Sequence, residues 1–242
     1  MTPARRHRLT VLAGAAAVVA PAGAAASAGA SPAPVTARML AKLQADKVAL
    51  KAIKSVTAKI AKKALLLPEY APYVDGVLAA DAGGDDLVLV TAMVWRFDVG
   101  DWPGALDAAA YALRHRLTLP EGFSRDLPTL VLESVADAAL AQCQDGEVEE
   151  GMPAALDRAL TLTDGADMHD EVRAKALKAA GLMAMSTDPT GALGRLREAM
   201  RLDRRVGVAT VISRLEKQLA KAETTADMPP TAAPDGASAV GD

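Results

Sequence analysis

The chain lacks most of the residues that announce chemistry. A single cysteine, Cys143, in 242 residues excludes an intramolecular disulfide and any thiolate metal framework, and its place in an apolar helical stretch reads as a buried free thiol. The three histidines, His7, His115 and His169, form neither a His-x-x-x-His nor a Glu-x-x-His pair, so no zinc or di-metal helix site is expected. No glycine-rich loop ends in Lys-Ser or Lys-Thr, which excludes an evident nucleotide-driven motor in this chain. Aromatics are only 3% of residues. No stretch alternates with period two for long, and the most apolar run, Leu9–Ala20, is too short to span a bilayer.

What is present is alanine, leucine and charge. At 51% apolar and 24% charged, the chain can bury a core, and its good helix formers predict an all-α fold. The charge is unevenly spread. Residues 1–66 carry eleven Lys or Arg against one acid, Asp46, whereas the remaining residues carry sixteen against twenty-nine. Such asymmetry points to a basic front for a polyanion, mounted on an acidic body.

Residues 1–35 are rich in Ala, Gly and Pro. Arg5, Arg6 and Arg8, the Leu9–Ala20 run and the small residues 24–28 imitate a secretory signal. The other reading is a flexible arm whose arginines touch phosphate. Residues 36–66 hold no Gly or Pro and read as one amphipathic helix, or two closely joined. On a continuous helix, Lys47, Lys51, Lys54 and Lys62 fall within about 80° of arc, with Lys59 and Lys63 beside them. Leu43, Leu50, Ile53, Val56 and Ile60 form the opposite, apolar stripe. A lysine ladder of this kind follows a phosphate backbone and binds it without reading bases; the plainer alternative is a solvated surface helix.

Behind it, Pro68 and Pro72 are expected to end the helix, and residues 67–222 to fold as antiparallel helical hairpins, loosely tetratricopeptide-like. Helices are expected at about 72–80, 85–98, 103–116, 128–143, 152–162, 168–185, 190–203 and 206–221, separated by turns such as VGDWPG and STDPTG. DWPGALDAAAYALR (101–114) and DPTGALGRLREAMR (188–201) share Asp, Gly, Ala, Leu, Ala and Arg. In such hairpins a Gly ends one helix and a small residue lets the next pack closely. Trp95 and Trp102 flank the Gly100-Asp101 turn, where they are expected to clamp a hairpin, with Phe97 and Tyr111 filling the space alongside. Residues 223–242 read as a disordered tail. Asp164, Asp167, Asp170 and Glu171 are the densest carboxylates, and Asp167, Asp170 and Glu171 the candidates for a metal-dependent nuclease centre, although capping and dipole roles explain them as well.

Several of these segments, ARRHRLTVLAGAAA, LLPEYAPYVDGVL, the stretch from DDLVLVTAMVWRFDVGDWPG to RHRLTLP, and ADMHDEVRAKALKAAGL, occur in an order that resembles the small terminase subunit of temperate tailed phages, the endonuclease-subunit type. The resemblance runs to about residue 220. It implies a packaging role in the host cytoplasm: binding of double-stranded cohesive-end DNA, a ring-like homo-oligomer, and action with a large, ATP-using subunit to cut and package the genome, with endonuclease activity attributed to the family. It delivers no catalytic residues. Cleavage is therefore expected to reside in the partner, with Mg2+ needed here only if this chain itself cuts. No metal, cofactor or membrane association is expected for the chain. The rival reading is a helical-repeat adaptor without a DNA role, and exported.

Overall fold

A computed structural model describes residues 32–226, and among them every regular element is helical. Nine helices follow one another: α1 Pro32–Ala52, α2 Val56–Ala80, α3 Leu87–Val99, α4 Trp102–Arg114, α5 Leu127–Asp145, α6 Met152–Leu162, α7 Asp170–Ala184, α8 Pro189–Leu202 and α9 Ala209–Ala226. Contacts, sparse between α1 and α2 and extensive between α7 and α8, join each helix to the next or the next but one, a layered stacking. Helix lengths range from 11 residues in α6 to 25 in α2, so the stack is not a regular repeat array.

Three boundaries have a local reason, and the first realises the two-helix alternative for the basic segment. The basic segment breaks at residues 53–55. Ser55, in an extended conformation, accepts a hydrogen bond from Ala58 N and so starts a new helix, while the Ile53 amide turns back to the Leu50 carbonyl. The expected apolar stripe is thereby cut: Leu43 and Leu50 are buried, but Val56 is 71% exposed.

Second, contrary to expectation, Pro68 and Pro72 do not end α2. Both lie on its exposed side while Leu66, Leu67, Tyr70 and Val74 are buried. The carbonyls deprived of an amide partner, four residues upstream of each proline, therefore lie toward water, which solvates them, and the packed face holds the helix together.

Third, α1 begins at Pro32, inside the segment expected to be an arm, with proline well suited to a first helical turn. At the other end α9 runs to Ala226, past the expected limit. Arg5, Arg6, Arg8 and most of the expected tail lie outside the described residues.

The turn between α3 and α4 shows why GD is flanked by tryptophans. Gly100 ends α3 at φ 80°, and Asp101 caps α4 through the Gly104 amide at 3.1 Å. Arg96, nearly buried, donates to the Gly104 carbonyl at 2.9 Å and lies 3.5 Å from Asp101. Trp95 meets Tyr70 edge to face at 5.6 Å, and Trp102 packs by Phe97 at 6.5 Å. The rings build a core, as expected, and Tyr111 belongs to it: 3% exposed, it lies at a tilt by His115 and accepts a hydrogen bond from the Gly83 amide.

The shared DWPG and DPTG signatures are helix starts, as the expected helices at 103–116 and 190–203 had them: their glycines stand in the first turn of α4 and α8 beneath the capping carboxylate. A Cβ on Gly104 would lie 2.5 Å from Asp101 Oδ2, and one on Gly191 only 2.0 Å from Asp188 Oδ2. The internal echo is a repeated helix start.

The main core spans α1 to α7, and a second, smaller one joins α8 and α9 through Leu193, Leu196, Val208, Ile212 and Leu215. Cys143 is half-buried, and burial pushes its thiol above the ordinary range.

Candidate nucleic-acid interface

With the break at 53–55, α1 and α2 double back as an antiparallel hairpin. Thr36 lies by Tyr73, Lys42 by Glu69, and Asp46 by Tyr70. This corrects the single lysine ladder. Lys47 and Lys51 lie on the outgoing helix, Lys54 in the turn, and Lys59, Lys62 and Lys63 on the returning one. Residues 47–68 contain those six lysines and no acid, so the end of the hairpin is uniformly positive.

The lysines are not equivalent. Lys47, Lys51 and Lys54 are exposed and Lys59 half-buried, and none of the four has a hydrogen bond or ion pair with a described residue. Lys62 is drawn electrostatically to Asp46. Lys63 donates to Asp98 at 2.5 Å, tying α2 to the end of α3. Structure thus divides the predicted set into four uncommitted ammonium groups near the tip and two engaged at the base.

Asp46, the lone acid of the first 66 residues, pins the hairpin. Its Oδ2 accepts from Lys42 Nζ at 2.7 Å and from the Tyr70 hydroxyl at 2.6 Å. Burial pushes this carboxyl up, but the two hydrogen bonds and the charges of Lys42 and Lys62 outweigh it, holding Asp46 below the ordinary carboxylate range. Tyr70 is raised, first by burial and then by its bond to Asp46, so it stays a donor. A second pin lies nearer the start of α1: the Tyr73 hydroxyl donates to Asp86 Oδ2 at 2.7 Å, while Asp86 Oδ1 caps α3. The signal for the first pin was visible as an isolated acid in a basic run, and Ser55 followed by two β-branched residues marked the helix start.

The hairpin is not only basic. Val48 and Val56 are each 71% exposed and Leu65 64%. Such aliphatics between lysines let the stems lie along apolar surface with their heads in water.

The carboxylate candidates are scattered over exposed positions. Asp167 lies in the loop before α7, Asp170 and Glu171 in its first turn, where they complement the helix dipole. Glu171 reaches Arg205 at 3.5 Å. The expected cap by Asp167 is absent: His169 occupies that position without a side-chain bond. Among the described residues no three His, Cys, Asp or Glu side chains gather as a metal would require. His115 instead latches the 81–86 loop, its Nε2 2.7 Å from Asp81 Oδ1, with Arg114 on the same carboxylate. Those two bonds, His115 first, hold Asp81 below its usual value. No helix among the described residues is long and apolar enough to cross a membrane.

Comparison with known proteins adds a family. A family model described as phage small terminase subunit matches residues 40–171. The chain is 45% identical over 183 residues to the terminase, endonuclease subunit of Escherichia phage P2, covering 75% of this chain and 73% of that one. It is 25% identical over 193 residues to the probable terminase, endonuclease subunit of Haemophilus phage HP1, with 73% and 68% covered. No solved structure matches.

Proposed function

The chain belongs to the phage small terminase subunit family, and from that premise we propose that it binds duplex DNA through the tip of the α1–α2 hairpin and presents it to a large terminase subunit for packaging. The observation that carries this reading is the acid-free run 47–68, with Lys47, Lys51, Lys54 and Lys59 left without a hydrogen-bond or ion-pair partner among the described residues. Unpaired ammonium groups at close quarters repel one another. A phosphate backbone removes that repulsion and gives up condensed counterions, so binding is sequence-blind and falls steeply with salt. Recognition of a particular cohesive-end site would need a further reader.

Docking of the large subunit and assembly of several copies belong, in this reading, to the acidic helices behind the hairpin, in the host cytoplasm. Strand cleavage, which the names of both relatives carry, is assigned to the large subunit. The support is that Asp167, Asp170 and Glu171 stand exposed and that no metal-holding group of three such side chains forms among the described residues.

The test is a mobility-shift titration of the purified chain on duplex DNA across a range of salt. Changing Lys51, Lys54 and Lys59 to Ala is expected to flatten the log–log salt dependence by about 0.9 per lost contact. The same mixture with Mg2+ should leave the duplex uncut. Unchanged affinity and slope in the triple variant would instead favour a helical adaptor whose lysines are merely solvated.

A further inference from the structure

The acidic body is itself uneven. Residues 67–194 carry eight Lys or Arg against twenty-two acids, but residues 195–221 carry eight against three. Much of that second basic segment is spent on ion pairs: Arg195 with Asp157, Arg197 with Glu216, Arg201 with Glu198, and Arg205 with Glu171. Arg214 and Lys217 are spent on nothing; neither has a hydrogen bond or ion pair with any described residue.

Both stand on the outer face of α9. The inner face is fixed by Ile212 and Leu215, which with Val208 just ahead of the helix pack into the second core. The outer face presents Thr210, Ser213, Arg214, Lys217, Gln218 and Lys221 side by side along the helix. Every one of these side chains can donate a hydrogen bond, and none is acidic. Glu216, the single acid of residues 209–222, is held by Arg197 at 2.7 Å. From Arg214 to Lys221 is seven residues, about 10 Å along the axis. Over that length one strand of a duplex passes roughly three phosphates. Guanidinium, ammonium, hydroxyl and amide donors are the groups that proteins place on phosphate oxygens.

We propose that this face of α9 is a second surface for the phosphate backbone of duplex DNA, independent of the α1–α2 hairpin. The hairpin and α9 stand at the two ends of the helix stack, with the strongly acidic middle between them, so a bound duplex is drawn to the ends and repelled by the centre. Two modest contacts on one polyanion then act together, the second raised by the effective concentration the first creates.

The full chain, with Arg214, Lys217 and Lys221 changed to Ala, tests this on random-sequence duplex DNA at several salt concentrations. At moderate salt the affinity should fall about tenfold or more, and the salt slope should drop by two to three, about 0.9 per contact. Thermal melting should not change, since the three side chains are exposed. Exchanging charge for charge, Arg214→Lys with Lys217→Arg, should restore binding. Unaltered affinity and slope overturn the proposal, and so does a variant that keeps DNA but loses an acidic protein partner. The hairpin lysine variant, run in parallel, separates the two ideas: loss there alone leaves the hairpin reading standing and removes this one, and loss on α9 alone does the reverse.

Discussion

The α1–α2 and α3–α4 hairpins are neighbours made on opposite plans. The first has helices of 21 and 25 residues that touch sparingly, leave Val48, Val56 and Leu65 in water, and are held by polar pins at Asp46 and Tyr73. The second has two helices of 13 residues, buries most of their length, and locks its turn with Trp95, Arg96 and Trp102. Dispersion and burial hold the compact pair; a few directional bonds hold the long one. The family resemblance is written most plainly in the compact pair, where the residues are structural. The groups proposed to meet DNA lie in the other, on positions that packing constrains little.

The widest gap between the two plans should appear on truncating an anchor of each. Trp95→Ala removes a ring that is 5% exposed and should cost about 3–5 kcal/mol in denaturant unfolding. A loss below about 1 kcal/mol would mean that the compact pair is not the stable half.

Asp46→Ala should cost less, about 1–3 kcal/mol, because it strands the Tyr70 hydroxyl and frees Lys42. Hydrogen exchange should quicken in α1 while α3 and α4 stay protected; uniform loss of protection would make the hairpins one cooperative unit. The same pin sets an acid dependence. Since the folded Asp46 carboxyl lies below its ordinary value of 3.8, its contribution is present above that pH and disappears as pH falls through the lowered value. In the Asp46→Ala protein that part of the acid sensitivity should be absent from a pH series of melting curves.

Least affected should be Val56→Ser, within about 0.5 kcal/mol of the parent, because its side chain is already in water. A larger loss would show that Val56 is covered in solution.

Much of this architecture was legible beforehand, and the failures have physical reasons. Turns built on Gly-Asp and Asp-Pro announced themselves because their chemistry is local: an αL glycine, a carboxylate on an amide. The prolines in α2 misled because their cost depends on which side faces water, a property of the packed structure. The break at 53–55 rests on one serine, and a lysine-rich pattern read at helical spacing hides it. The basic face of α9 was invisible to net charge, since the acids of residues 67–194 cancel its bases in a sum, and the arginines just ahead of it, Arg195 and Arg205, are engaged by Asp157 and Glu171 while Arg214 and Lys217 are not.

The helix start at Asp188 carries one more consequence. While Asp188 Oδ1 accepts the Gly191 amide, the other oxygen of the same carboxylate, Oδ2, occupies the volume that a methyl group on Gly191 would claim, so the two positions are not independent choices. Gly191→Ala alone should be poorly tolerated, Asp188→Ala alone should lose the cap, and the pair together should be less harmful than their separate costs imply. Relatives drifting at this corner are therefore expected to change both letters or neither.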